Sequence, residues 1–205
     1  MYQLGWELSV GDQYEAAVIS VSFKTMTPEL ITTVTDTVYN NVSLFLKAKE
    51  AKFGAAGQWE VIEGEGGRIE EETSNNAIFI GKQHINYVVR WKLTYGSKEE
   101  FLDLNFTTDV LVANAGNDNL DINIPDGEEK YYSLDAFFPP GGTVNWSIVQ
   151  GESGIVYNSD NANSLFKGEA DQEYQLLWNV AVDDYTSVDT LNLRFRGKWG
   201  MWTDP

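Results

Sequence analysis

The sequence predicts an all-β protein built from tandem β-sandwiches, and three observations lead to that prediction. One segment of the chain is repeated at a constant spacing. Apolar and polar residues alternate with the two-residue period of a strand. Turn-forming residues, such as Gly96-Ser97 and Asp183-Asp184, separate the alternating runs at short intervals. The 205 residues are therefore expected to form several small β-domains.

The internal repeat is the strongest signal in the chain. The segment 59–67, WEVIEGEGG, returns as 146–154, WSIVQGESG, at an offset of 146 − 59 = 87 residues. Ungapped identity at these residue types indicates two copies of one structural unit. The same offset of 87 relates Phe79 to Phe166, Gly81 to Gly168, Tyr87 to Tyr174, and Trp91 to Trp178.

A third, partial copy opens the chain. Its Tyr2-Gln-Leu-Gly-Trp6 matches the Tyr-x-x-x-Trp segments at 87–91 and 174–178, and each copy continues through a turn into a second alternating run. The chain is therefore predicted to be the last hairpin of one repeat followed by two complete repeats. The predicted boundaries are 1–24 for the terminal hairpin of an incomplete repeat, 25–108 and 109–197 for two sandwiches, and 198–205 for a tail or linker.

Strand patterns fill each repeat. Tyr174, Leu176, Trp178 and Val180 occupy alternate positions, so they lie on one face of a strand. The segment 44–52 has the propensities of a helix, but it aligns with the predicted strand at 132–138 and is therefore predicted as a strand. About seven short strands in roughly 85 residues are typical of an immunoglobulin-like sandwich. An elongated string of such sandwiches is the predicted architecture.

The repeated aromatic residues are predicted to form the cores of the sandwiches. Large rings at inward strand positions bury the apolar area that a small domain needs, and this explanation is favoured over a ligand-stacking platform. The repeated glycines are predicted to mark bulges or turns with positive φ. The predicted structural core comprises Trp6, Trp59, Trp91, Trp146, Trp178, Tyr87, Tyr174, Phe79 and Phe166.

Composition argues against several classes of function. The chain has 14 Lys+Arg against 31 Asp+Glu, a formal net charge of −17, so nucleic acid is not an expected partner. It has no Cys, and its one His, His84, has no repeat counterpart and is interpreted as a solvated loop residue. No stretch approaches the length of a membrane span, so no membrane insertion is expected. Because no catalytic constellation stands out, an enzyme is not predicted.

Acidic loop residues are a candidate metal site. Asp118, Asp121 and Asp126 follow one another closely, and Ca²⁺ prefers oxygens from such side chains and from loop carbonyls. Their spacing does not match an EF-hand, and Asp is also an ordinary turn residue. Calcium at these three residues is therefore an expectation to be weighed against a structural role, and no other cofactor is expected.

The repeat motifs resemble a known family. The run Trp-x-Val/Ile-x-x-Gly-x-x-Gly, then Phe-x-Gly, then Tyr-x-x-x-Trp, resembles the PKD-like/immunoglobulin-like tandem repeats of large secreted cell-surface proteins of Bacteroidota. The segment 113–118, ANAGND, is similar to the opening of those repeats, whereas the other complete repeat departs from it at 26–30, MTPEL. The resemblance implies PKD-like sandwiches, an extracellular or cell-surface location, a stalk or adhesin role, and no catalytic residues.

The predicted function is that of a non-catalytic structural or adhesive module of a bacterial surface or secreted protein, acting as a stalk or presenting a binding end. Two alternatives are a carbohydrate-binding accessory module of a secreted enzyme and a virion or filament protein that assembles through the N-terminal hairpin. The hairpin is expected to belong to a longer repeat array, to donate its strands head-to-tail, or to fold back on the next repeat. Neighbouring repeats are expected partners, while the sequence does not specify a protein or glycan ligand.

Overall fold

The computed structural model describes residues 2–21, 25–123 and 131–197. In these ranges it assigns sixteen β-strands and no helix. Within the same ranges, no helix has the length and apolar character needed to cross a membrane. The predicted tail, 198–205, lies outside the described residues.

The first two strands form a hairpin that is a sheet by itself. β1 (Tyr2–Val10) pairs antiparallel with β2 (Gln13–Val21). The turn between them places Gly11 at a φ of +61°, a left-handed conformation that glycine adopts without steric cost. Elsewhere in the described ranges, each sheet has at least three strands.

Seven strands between residues 37 and 108 form the first sandwich. Four of them join in the order β3-β9-β8-β5, and the other three in the order β4-β7-β6. β3 runs parallel to β9, and the remaining pairs are antiparallel. The strands are β3 (Thr37–Val38), β4 (Ser43–Lys47), β5 (Ala56–Glu63), β6 (Arg68–Glu70), β7 (Asn76–Ile80), β8 (Asn86–Tyr95) and β9 (Lys98–Thr108).

The second sandwich repeats this topology. Its four-stranded sheet has the order β10-β16-β15-β12, with β10 parallel to β16, and its three-stranded sheet has the order β11-β14-β13. The predicted all-β fold of tandem sandwiches is therefore confirmed, and each sandwich has seven strands in two sheets, as an immunoglobulin constant-type domain does. The strands are β10 (Asn119–Asn123), β11 (Tyr131–Ser133), β12 (Thr143–Gln150), β13 (Ile155–Val156), β14 (Leu165–Lys167), β15 (Gln172–Val182) and β16 (Tyr185–Arg196).

Each sandwich buries aromatic residues between its two sheets. Trp59 on β5 faces Trp91 on β8 with ring centroids 5.0 Å apart, and Trp146 and Trp178 repeat this cross-strand contact at 4.7 Å. Such pairs stabilise a sheet both by area burial and by ring contact. Eight of the nine aromatic residues expected in the core are buried: Trp59, Trp91, Trp146, Trp178, Tyr87, Tyr174, Phe79 and Phe166.

Trp6 is the exception to the expected core, because its side chain is 58% exposed. It occupies the repeat position of Trp91 and Trp178, and the repeat pattern alone placed it inside a sandwich. The described residues provide no second sheet over the β1–β2 hairpin, so the inward face of the repeat becomes a surface here. The core assignment of Trp6 is therefore corrected.

The two predicted strands at 44–52 and 132–138 are shorter in the structure. β4 ends at Lys47, after which Ala48 forms an isolated bridge with Leu30 and donates its backbone N–H to the Asn75 carbonyl at 2.8 Å. β11 ends at Ser133, ahead of the two prolines at 139–140. Beyond Ser133, the backbone N–H groups of Leu134 and Ala136 still donate to the carbonyls of Ser164 and Ala162, at 2.8 and 3.3 Å.

Candidate functional site

A tyrosine at the start of the central hairpin fixes one corner of each sandwich. The Tyr87 hydroxyl accepts a hydrogen bond from the backbone N–H of Lys82 at 2.8 Å and donates one to the carbonyl of Glu65 at 3.0 Å. Tyr174 repeats both bonds at 2.8 and 3.0 Å with the residues that lie 87 positions later. This tyrosine corner, next to a buried tryptophan on the neighbouring strand, is a hallmark of the immunoglobulin fold.

Three glycines leave room for the ring of Tyr87. A Cβ would lie 2.1 Å from Cδ1 of Tyr87 if placed on Gly64, 2.6 Å from Cε1 on Gly67, and 2.7 Å from Cε2 on Gly81. Of the three, Gly64 alone has a positive φ, +108°. The predicted role in positive-φ turns therefore applies to Gly64, and the explanation for Gly67 and Gly81 is corrected to the close approach of the ring.

Replacing Tyr87 by phenylalanine is expected to destabilise the first sandwich by about 1–3 kcal/mol. The change removes one hydroxyl and leaves a half-buried N–H and carbonyl without that partner, at the cost typical of unmet hydrogen bonds. Urea unfolding followed by circular dichroism measures the effect. The matched control is Tyr14→Phe, since the Tyr14 hydroxyl bonds only to the exposed Glu7 carboxylate; its effect should stay below about 0.5 kcal/mol. Equal effects of the two variants would contradict the assigned role of the corner.

The outer face of β7 connects the first sandwich to the second. Along this strand Ala77 and Phe79 belong to the core of their own sandwich, whereas Ile78 and Ile80 alternate with them on the other face. Ile80 is 1% exposed and packs, together with Val42 and Ile78, in the apolar core of the second sandwich. The two sandwiches therefore share a buried contact.

The second sandwich contributes two turns to this junction. Gly141, in the turn that follows the prolines, lies so close that a Cβ on it would be 2.9 Å from Cδ1 of Ile80. Val182 and Tyr185 flank the β15–β16 turn and pack in the same apolar cluster as Ile78. Apolar contact is thus made from both sides of the junction, which limits the angles that the sandwiches can adopt.

An ion pair crosses the junction at its rim. The Arg68 guanidinium on β6 donates to the Asp183 carboxylate in the β15–β16 turn at 2.6 Å, and this hydrogen bond raises the pKa of Arg68. Both side chains are nearly half exposed, so solvent screens the pair and limits its contribution to about 1 kcal/mol or less. The ion pair orients the turn, while the apolar contacts supply most of the junction's stability.

The linker between the sandwiches is hydrogen-bonded to both of them. On the first side, the Asp109 carboxylate accepts the backbone N–H of Val110 at 2.8 Å and that of Asn40 at 3.2 Å, and these donors, Val110 foremost, hold the pKa of Asp109 below its ordinary value. On the second side, the N–H of Ala113 donates to the Ser187 hydroxyl at 2.9 Å. A linker tied at both ends reduces rotation between the sandwiches.

The ANAGND segment, 113–118, continues this linker along the second sandwich. Ala115 is buried in the core, where its small side chain lets the backbone lie against the sheet. Gly116 has a φ of +90°, which a side chain would disfavour. The Asp118 carboxylate accepts the backbone N–H of Asn192 at 2.7 Å. The segment therefore anchors the entry of the second repeat.

Within the described residues, the expected calcium ligands already interact with hydrogen-bond donors of the protein itself. Asp118 also accepts from the side-chain amide of Asn192, and Asp121 forms an ion pair with Arg196. Asp126 lies outside the described residues. Over the described ranges, no group of three or more His, Asp or Glu side chains is placed to hold a metal ion. Calcium binding at Asp118, Asp121 and Asp126 stays a prediction.

His84 lies in the loop before β8. Its side chain is 69% exposed, and its Nδ1 is 3.9 Å from the nearer oxygen of Asp109. Its backbone has a φ of +57°, and its N–H donates to the carbonyl of Thr108. The residue is solvated, in agreement with the loop interpretation, and its backbone helps to position the linker end of β9.

The junction is the feature that sequence analysis missed. β7 reads NAIFI at 76–80, which is apolar on both faces, whereas its counterpart at 163–167 reads NSLFK, with Lys167 at the position of Ile80. A short, continuously apolar run is typical of a strand that is buried on both faces. Comparing the two copies position by position would have indicated that the outer face of the first is covered.

Comparisons with known proteins give structural likeness alone. No protein-family model and no curated protein sequence matches the chain. Among solved structures, a chimeric titin Z1Z2 is 12% identical with a TM-score of 0.37, covering 86% of this chain and 100% of its own. The endo-fucoidan hydrolase MfFcnA4 from glycoside hydrolase family 107 is 12% identical with a TM-score of 0.38, and this chain covers 34% of it. Drosophila N-cadherin EC1-4 is 11% identical with a TM-score of 0.32, covering 89% of this chain and 54% of its own.

These identities and TM-scores are too low to inform on function. The chain spans about a third of the length of the fucoidan hydrolase, so that enzyme's activity is not transferred to it. The immunoglobulin-like assignment depends instead on the strand order and on the two tyrosine corners.

Proposed function

We propose that the chain is a non-catalytic structural or adhesive module, which holds successive sandwiches at a fixed angle as part of a stalk. In keeping with the sequence motifs, we place it among the PKD-like repeats of bacterial cell-surface or secreted proteins. The observation that carries the proposal is the buried junction, in which Val42 and Ile80 of the first sandwich lie in the core of the second. A spacer needs such a junction, because a flexible linker would let the modules collapse onto one another.

The arrangement of charge supports this function. Acidic side chains of the sheet faces pair with the few cations, as in the bidentate pair of Arg90 with Asp103 and the contact of Lys92 with Glu60. The Arg90 pair holds the pKa of Asp103 below its ordinary value. A net charge of −17 on the whole chain favours solubility and repulsion between neighbouring stalks. The paired carboxylates stabilise faces of sheets rather than a catalytic cleft.

Replacing Ile80 by aspartate is expected to uncouple the two sandwiches. A carboxylate at a position that is 1% exposed must either be desolvated or open the junction, and opening is the cheaper response since each sandwich retains its own aromatic core. Backbone ¹⁵N NMR relaxation measures the effect. The wild-type sandwiches should share one rotational correlation time, whereas those of the variant should tumble with two shorter ones.

The control for this experiment is Val149→Asp. Val149 is a comparably apolar strand residue but is 53% exposed, so its substitution should leave the shared correlation time unchanged. Independent tumbling of the sandwiches in the wild-type protein would overturn the proposed spacer function.

A further inference from the structure

The unpaired hairpin has the same backbone register as the hairpins inside the two sandwiches. In β1–β2, Leu4 lies opposite Ile19 and Leu8 opposite Glu15. Adding 85 to each number gives the pairs of β8–β9, in which Val89 lies opposite Leu104 and Leu93 opposite Glu100. The turns also match, with Gly11 at a φ of +61° and Gly96 at +60°.

One face of the hairpin is apolar and exposed. Leu4, Trp6, Leu8, Val10 and Ile19 share this face and are each between 49% and 73% exposed. Both β-edges of the hairpin are also free of other strands in the described ranges, whereas β8 has β5 beside it and β9 has β3. The structure therefore shows what covers this face and these edges in a complete repeat: the strands that precede the hairpin.

A second exposed surface lies on the first sandwich. It is at the end equivalent to the one by which the second sandwich packs in the junction. Tyr95 and Lys98 flank the β8–β9 turn and line a hollow of about 590 Å³ with Phe53. These two residues are the repeat counterparts of Val182 and Tyr185, which lie 87 positions later and pack in the junction. Tyr95 is 60% exposed, but its counterpart Val182 is 1% exposed.

Gly54 strengthens this equivalence. It lies 87 positions before Gly141, the glycine that contacts Ile80 across the junction, and it too has a positive φ, +81° against +66°. The first sandwich thus presents a junction surface of the same construction as the one that the second sandwich uses. The occupant of that surface in the second case is the outer face of β7.

We infer that the hairpin and this hollow together form one docking surface, whose occupant is a half-repeat with the chemistry of residues 25–86. Its strands pair with the edges of the hairpin, its equivalents of Trp59 and Phe79 cover the apolar face, and the outer face of its β7 equivalent fills the hollow beside Tyr95. The hairpin is then the closing half of a third sandwich. This inference depends on the geometry of the repeats and not on what the protein binds.

A second copy of the chain fits this surface less well. Two hairpins packed face to face would each bury a face of ~30 Å by ~10 Å, from the rise of a strand and the spacing between two strands, or ~600 Å² in total. A specific interface needs about 1,200 Å² or more. Face-to-face contact would also leave the edges of both hairpins unpaired.

The test joins the proposed occupant covalently to the hairpin, directly ahead of it in the same chain. Residues 25–86 are duplicated ahead of Tyr2 in the full chain, so that Asn86 precedes Tyr2 as it natively precedes Tyr87. A second graft uses residues 112–173, so that Glu173 precedes Tyr2 as it natively precedes Tyr174. Hydrogen–deuterium exchange by mass spectrometry then follows the amides of residues 2–21. Each graft should slow their exchange by at least about a hundredfold, because amides of a packed sandwich exchange only on opening of the sheet.

Two substitutions of equal exposure serve as the matched pair within the first graft. Leu4 is 61% exposed and corresponds to the buried Val89, whereas Val18 is 64% exposed and corresponds to Asp103 on the outer face. Leu4→Asp should abolish the protection gained from the graft, and Val18→Asp should preserve it. Hydroxyl-radical footprinting should also show Tyr95 protected in the grafted protein.

Three outcomes would overturn the inference. The first is that neither graft slows exchange in the hairpin. The second is that Leu4→Asp retains the protection as well as Val18→Asp does. The third is that the wild-type hairpin is already protected in a manner that depends on protein concentration, which would show that a second copy covers the face.

Discussion

Replacing Trp178 by alanine is expected to destabilise the second sandwich by about 3–5 kcal/mol, a large part of the total for a domain of this size. The side chain is fully buried on β15 and contacts Trp146. Its removal forfeits apolar burial and leaves a cavity that the two sheets cannot close without shifting. It also leaves the Phe137 carbonyl without the Trp178 Nε1 donor at 3.1 Å.

The matched control for this substitution is Trp6→Ala, at the same position of the partial repeat. Because Trp6 is 58% exposed, its replacement should change the unfolding free energy of the sandwiches by less than about 0.5 kcal/mol. Urea unfolding monitored by far-ultraviolet circular dichroism compares the two variants. Similar losses would show that the repeat position, rather than the covering sheet, determines the contribution of the tryptophan.

The contrast between these tryptophans shows which features of the fold the sequence predicts and which it does not. Periodicity and the 87-residue repeat identify which side chains share a strand face, and they place Trp59, Trp91, Trp146 and Trp178 correctly inside sandwiches. They carry no information on whether a second sheet covers that face. Trp6 has the same local pattern and the same register, so its exposure follows from the incompleteness of its predicted repeat and not from its neighbours in the chain.

The tyrosine corners and the junction escaped prediction for two separate reasons. The Tyr87 hydroxyl bonds to a carbonyl 22 residues away, and backbone acceptors leave no trace in side-chain periodicity. The junction, by contrast, did leave a trace. Ile78 and Ile80 make β7 apolar on both faces, and a comparison of the two repeats at these positions favours a covered outer face.

Replacing Gly151 by alanine is expected to destabilise the second sandwich by about 2–6 kcal/mol, from two separate causes. Its φ of +107° is a backbone conformation that a residue with a Cβ adopts only under strain. A Cβ would also lie 2.2 Å from Cδ1 of Tyr174 and 2.9 Å from the carbonyl oxygen of Glu173. The ring must then move, which breaks the hydrogen bonds of the tyrosine corner.

Two further variants separate strain from steric conflict. Gly96→Ala places a Cβ at a φ of +60°, inside the left-handed helical region, with nothing within 4 Å, so its cost of about 1–2 kcal/mol is a lower bound on the backbone cost at Gly151. Gly154→Ala has no positive φ but puts a Cβ 2.8 Å from Cε1 of Tyr174, so it should show the cost of overpacking, about 1–3 kcal/mol. Thermal and urea unfolding of the three variants provide the comparison. If Gly151→Ala costs no more than Gly96→Ala, the ring of Tyr174 can yield, and the corner is less rigid than its two hydrogen bonds indicate.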